Sequence, residues 1–488
     1  MSDDIGVKLD AIWADDLLGR RLEAQLIVDY LQCAVKHRLD REDMRAFTLA
    51  IDTGYGAGKS FFLRRLSRHL EITHPVAFID AWADDLSDEP FVAIAATLQR
   101  ALAPLTDDPT VKEKIANVFA KAGELAKVVS AGIVRRGLAT LISESGVEAA
   151  SAVLSDAPDA VREAGKAAAA IGDDVATTAF RGVSSDRFMK DRIEEFEARK
   201  AAVADLKRNL ETLIASLRET ELSPPIVIVI DELDRCRPNY AIKVLEEIKH
   251  LFDVPGLVFI FGMHGEQLAH SVSAAYGSGF SGGAYLRRFV SRRYVLREPN
   301  LEPLVTLLLK RSGLSSSRQL SSYFRVTAQG FSEDTPSLEV LVTRYVQMYG
   351  LAARDAYGVV ETLQTSAALA EGQTLYLPYL LPLVMSRVLA PDSKELVPPT
   401  TNPIWDYVVY NTTTQARQDI SPWSVAKRLD ELFRLPHRDF HNLSDNEPMI
   451  GIAHGMKAGS RGLSDPSNYR KLLEAVGRFG PVGGEDAA

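Results

Sequence analysis

The chain has 488 residues, a formal net charge of −9, 46% hydrophobic residues and two cysteines, Cys33 and Cys236. That length leaves room for two or three domains and a large core. Two thiols exclude a disulfide framework and fit a reducing compartment, and the acidic balance excludes wholesale coating of nucleic acid, although a local basic patch stays open.

In chain order, Met1-Ser2-Asp3-Asp4 is acidic with no apolar run, so no secretory signal is expected and the location expected is cytoplasmic. Asp16 to Lys36 has the periodicity of an amphipathic helix. A buried strand is predicted over Phe47–Asp52, then the turn Thr53-Gly54-Tyr55-Gly56-Ala57-Gly58, then a helix opening at Lys59-Ser60. Glycines let backbone N–H groups turn inward around a phosphate where a side chain would block them. The helix adds its positive N-terminal end, Lys59 a mobile charge for the outer phosphates, and Ser60 a hydroxyl for Mg²⁺. This is a P-loop, a motif that binds nucleotide, with Thr53 where the usual first glycine would stand. The other reading, a glycine-rich turn before an ordinary helix, is opposed by Gly56-x-Gly58-Lys59-Ser60, the half that touches phosphate.

A second strand is predicted over Val76–Asp80, followed by a long helical insertion from about Asp107 to Leu222. Within it, Val128 to Ile142 is the best candidate for a membrane span, but Arg135-Arg136 interrupts its middle. The Ala-rich stretch Val161 to Phe180 contains Asp173-Asp174, and neither segment is expected to cross a bilayer that needs about 20 apolar residues. Association of an amphipathic helix near Val128 with a membrane surface stays open. The insertion ends in an apolar stripe, Met189, Ile193, Phe196, Val203, Leu206, Leu210, Leu213 and Leu217, that packs on its own domain or forms a coiled coil with a partner.

Ile226-Val227-Ile228-Val229-Ile230 reads as a strand buried on both faces, ending in Asp231-Glu232. Carboxylates at that end of an α/β sheet sit where ligands bind. Asp231 is placed to hold Mg²⁺ and Glu232 to polarise an attacking water, unless the pair is simply solvated loop. Further strands over Leu257–Met263 and Val290–Leu296 alternate with helical stretches. The fold class expected is α/β, a three-layer P-loop NTPase with a parallel sheet over residues 1–298, interrupted by the insertion. A helical lid-like domain is expected over 299–397 and a small C-terminal module over 398–488, ending in a flexible Gly-Gly-Glu-Asp-Ala-Ala tail. The nine histidines show no metal-ligand spacing, and no nuclease, protease or deaminase constellation appears.

Several of these runs together resemble the KAP family of P-loop NTPases, in the additional-strand class that includes the AAA+ proteins. The residues that carry the resemblance are Asp16-Leu17-Leu18-Gly19-Arg20, then Phe78-Ile79-Asp80-Ala81-Trp82 with Leu86-Ser87-Asp88-Glu89-Pro90. The most specific are Ile230-Asp231-Glu232-Leu233-Asp234-Arg235-Cys236-Arg237-Pro238 and Val244-Leu245-Glu246-Glu247-Ile248-Lys249. The resemblance covers about residues 15 to 300. Many relatives carry transmembrane helices inside the same insertion; none is expected in this one, so the chain resembles the soluble branch.

The chain departs from the family pattern at Thr53, at Asp52, whose charge falls near the phosphate turn, and at His264, where relatives present an acidic residue. His264 orients the lytic water, or senses phosphate, or merely ends a strand. The resemblance implies that Arg287 or Arg288, in Leu286-Arg287-Arg288-Phe289, supplies an arginine finger to a neighbouring subunit; a basic patch for nucleic acid or acidic protein is the other reading. It also implies that Arg354 is a lid arginine contacting nucleotide. The function expected is a Mg-dependent ATPase that works as a homo-oligomer with an operon-encoded protein effector, in bacterial anti-phage defence. The alternative is an ATP-gated oligomerising scaffold with little turnover.

Overall fold

The computed structural model describes residues 2–39, 46–85, 90–123, 185–217, 222–251, 254–277, 279–322, 325–328, 336–403, 405–410, 417–443, 447–458 and 460–479. Val128 to Ile142, Val161 to Phe180, Leu86 to Glu89, the side chains of Met189 and Phe196, and the C-terminal tail lie outside the described residues. Among the described residues no helix is long and apolar enough to cross a membrane.

Five strands, β1 (Phe47–Asp52), β2 (Val76–Asp80), β3 (Ile226–Asp231), β4 (Leu257–Met263) and β5 (Arg292–Val295), form a sheet in the order β2-β3-β4-β1-β5. Every neighbouring pair is parallel. The first four occupy the predicted ranges; β5 is shorter than the predicted Val290–Leu296. β1, β3 and β4 are buried along their whole length. Alternation along β3 then divides its side chains between two cores. Ile226, Ile228 and Ile230 join Leu98, Leu206 and Leu245 on one face. Val227 and Val229 join Ile27, Phe62 and Leu66 on the other. Helices therefore cover both faces, and the architecture is a three-layer α/β fold around a parallel sheet, as expected. β4 lies between β1 and β3, so Asp52 and Asp231 end strands two spacings apart, about 10 Å.

The helix Ser185–Ser216 explains part of the apolar stripe. Leu206, Leu210, Leu213 and Leu217 are buried in the first core, whereas Ile193, nearer the start of the helix, is 57% exposed. The packed end serves its own domain. The first amphipathic helix starts later than its periodicity predicts, at Arg21. Asp16 stands ahead of it and accepts the N–H groups of Arg20 and Arg21 at 2.8 and 2.7 Å, filling donor sites that a helix start leaves open.

The chain divides into two compact units. The first holds the sheet; the second comprises Ala14–Glu23, Gly54–Lys59 and Arg297–Ala488. In the second unit, Arg325–Ala328, within a stretch expected to be helical, is a strand paired antiparallel with Trp405–Tyr410. Leu304, Tyr345, Leu381, Tyr407, Leu429 and Leu473 share one hydrophobic cluster, so segments on both sides of residue 398 build a common sheet and core. Two buried phenols tie it together, Tyr345 and Tyr407, with their oxygens 3.0 Å apart.

Candidate functional site

In the sheet unit, Asp231 closes β3 with 1% exposure, and its Oδ1 accepts the N–H of Glu232 at 2.8 Å. Glu232 then turns sharply, with φ 59° and ψ 27°. A non-glycine residue held in that left-handed region costs about 1–3 kcal/mol, strain that clusters at functional sites. The turn aims the Glu232 carboxylate back at the helix Lys59–Glu71, where Ser60 Oγ donates to its Oε1 at 3.2 Å. Arg235 Nη1 stands 3.2 Å from the same oxygen. Ser60, Asp231 and Glu232, named from separate parts of the sequence, are thus one cluster.

β4 makes room for it. A methyl group on Gly262 would overlap Leu63 Cδ1 and lie 2.5 Å from Asp231 Oδ1. The glycine inside the apolar run Phe261-Gly262-Met263 was the available signal, because glycine in a buried strand marks a close approach. Gly262→Ala is expected to lower stability by about 1–3 kcal/mol through overpacking and to push the Asp231 carboxylate aside. Urea denaturation with and without Mg-nucleotide checks this. A variant as stable as the parent, and equally stabilised by nucleotide, would contradict it.

Asp52, whose charge was expected near the phosphate turn, has partners inside the sheet unit. Asp52 is 3% exposed, its Oδ1 accepts the N–H of Gly265 at 3.0 Å, and its Oδ2 pairs with Arg293 Nε at 2.5 Å. The carboxylate therefore caps the helix Gly265–Tyr276 and ties β1 to β5. Its charge is matched by a guanidinium and a helix N-terminus. His264 is the residue before that helix, in extended conformation at the end of β4. Arg293 went unrecognised within the arginine run. Arg287 and Arg288 are exposed, following the short helix Gly282–Leu286 and preceding the edge strand β5.

The glycine turn belongs to the second unit. Gly56 and Gly58 have φ +79° and +84°, conformations that glycine adopts without penalty. Gly54 needs no such freedom: its φ is not positive, and a Cβ there would meet no atom within 4 Å. A Cβ on Gly58 would lie 2.9 Å from Leu18 Cδ1. A Cβ on Gly56 would lie 3.1 Å from the Cβ of Arg354, whose backbone N–H donates to Gly56 O at 3.2 Å. The Arg354 side chain is exposed. Arg20, quoted in the sequence only as part of a motif, is 1% exposed. Its guanidinium donates to Ala57 O at 3.0 Å, Arg297 O at 2.8 Å and Glu23 Oε1 at 2.5 Å, bracing the turn from behind. Thr53, Tyr55, Lys59 and Ser60 complete the run between β1 and the following helix.

The donor set suits a nucleotide with a hard cation. Ser60 offers a hydroxyl and Asp231 a carboxylate, both oxygen donors of the kind Mg²⁺ takes. Among the described residues no group of three His, Cys, Asp or Glu side chains is arranged to hold a metal by itself.

The model of the KAP family P-loop domain matches residues 20–322, more than half of the chain. A search of curated proteins finds no match.

Proposed function

The chain belongs to the KAP family of P-loop NTPases, and from that premise we propose that it binds ATP with Mg²⁺ and hydrolyses it. The carrying observation is the cluster in which Ser60 Oγ lies 3.2 Å from Glu232 Oε1 with the buried Asp231 beside it. Ser60 and Asp231 hold the cation, which would neutralise charge on the outer phosphates. Lys59 meets the β- and γ-phosphates from the start of its helix. Glu232 orients and deprotonates the attacking water. The family resemblance gives His264, at the end of β4, the role of sensing the γ-phosphate, and Arg354 that of contacting the nucleotide. Arg287 and Arg288, exposed at the sheet edge, complete the site of a neighbouring copy. Coupling to an operon-encoded effector and a place in anti-phage defence follow from the family resemblance.

A second reading, an ATP-gated scaffold with little turnover, draws on the same cluster, because Ser60 and Arg235 both engage the Glu232 carboxylate. Glu232→Gln separates the two. It keeps shape and hydrogen bonding while removing the base, so ATP binds and persists and turnover falls by about 10²–10⁴. Calorimetry and phosphate release read the two quantities. A wild type whose phosphate release already equals that of Glu232→Gln would leave the scaffold.

A further inference from the structure

Nine histidines are spread along the sequence, and the fold gathers three of them in the second unit. His437 and His441 stand one turn apart on the helix His437–His441, with their Nε2 atoms 3.1 Å apart. His454, on the helix Pro448–Lys457, presents its ring nearly parallel to that of His441, with centroids 6.2 Å apart. Its Nε2 lies 3.2 Å from Phe440 O, to which it donates. Lys457 Nζ sits 4.8 Å from the centre of the Phe440 ring. Together with Ser460 and Asp465 these side chains line a cavity of about 510 Å³.

The chemistry of the cluster selects among ligands. Two neutral imidazoles with converging nitrogens share one proton; a second proton on the pair needs an acceptor that takes both. Removal from water and then the like charges of His437, Lys457 and His454 depress the pKa of His441, so the groups acting on it from its own helix and the neighbouring one are all basic. Asp465 lines the wall, but its Oδ1 already accepts from the N–H and hydroxyl of Ser467 at 2.9 and 2.7 Å. A cation would meet the charge of Lys457 here, and among the described residues no three His, Cys, Asp or Glu side chains are grouped to hold a metal. An anion relieves both problems. A phosphate fills only part of the volume, leaving room for an organic group beside the rings of Phe440 and His454.

We propose that this cavity binds a small phosphate-bearing ligand, with the phosphate held by His437, His441 and Lys457. The proposal is independent of the nucleotide reading at the glycine turn. Its test uses the full-length Lys59→Ala chain, so that phosphate binding at that turn does not contribute. Imidazole resonances are titrated with pH, with and without inorganic phosphate or AMP, and assigned by His437→Gln, His441→Gln and His454→Gln. Because the anion binds the protonated rings better, each probe is expected to raise the apparent pKa of His441 and to bind more tightly as pH falls. Lys457→Ala is expected to weaken binding by about tenfold or more, the scale of one charge-assisted hydrogen bond, and Lys457→Arg to restore most of it. AMP binding more tightly than inorganic phosphate would identify an organic phosphate as the ligand, and equal affinity a free phosphate. The proposal fails if neither probe moves the His441 titration. It fails equally if the shift survives Lys457→Ala, or if Zn²⁺ perturbs these rings where phosphate does not.

Discussion

Lys59→Ala is expected to abolish measurable binding of Mg-ATP while leaving the chain folded. Lys59 opens the helix Lys59–Glu71, directly after a turn whose glycines Gly56 and Gly58 take left-handed conformations. A phosphate seated there meets the helix N-terminus and one mobile ammonium. Hydrogen bonds from a charged donor contribute about 1.5–3 kcal/mol each, and Lys59 is expected to make two, to the β- and γ-phosphates. Removing both weakens binding by roughly 10²–10⁴-fold, beyond the reach of ordinary calorimetry for a micromolar nucleotide site. Lys59 is part of none of the hydrophobic clusters, so stability should move by no more than about 1 kcal/mol. A folded variant that binds Mg-ATP with parental affinity would remove the phosphate role of the turn.

Replacing Arg287 and Arg288 together by alanine is expected to keep ATP binding and eliminate turnover that rises with protein concentration. A γ-phosphoryl group in transfer spreads negative charge that Lys59 and a cation neutralise from one side only. An arginine brought from elsewhere adds about 10³–10⁵ in rate. Both side chains are exposed where the chain enters β5, and among the described residues β1 alone flanks that strand in the sheet. On the proposed reading they serve a second copy rather than their own nucleotide. Mixing the double variant with Lys59→Ala protein supplies intact arginines from one chain and an intact phosphate turn from the other, so hydrolysis should partly return. Specific activity independent of concentration, in a chain that sediments as a monomer with ATP bound, would return the arginines to a basic surface patch.

The middle of the sheet was legible because β1, β3 and β4 are buried along their whole length. A run such as Ile226–Ile230 has no amphipathic alternative, and the turn glycines and Asp231-Glu232 mark where strands end. What escaped was set by partners distant in sequence. Asp52 read as a charge beside phosphate because nothing local announces Arg293 or the N–H of Gly265. Arg20 is separated by 37 positions from the Ala57 carbonyl that it braces. The strand Arg325–Ala328 pairs with Trp405–Tyr410 across about eighty residues, a register no short window contains. Arg354 was named by resemblance alone; its backbone N–H donates to Gly56 O.

The most direct test is phosphate release by the purified full-length chain at saturating ATP, with Mg²⁺ present and again after chelation. The account predicts many turnovers per chain with the cation, background release without it, and a fall of at least about 10² in Glu232→Gln under the same conditions. Release that stays at background for the wild type, in a preparation that calorimetry shows to bind Mg-ATP, would contradict hydrolysis and leave a nucleotide-gated scaffold.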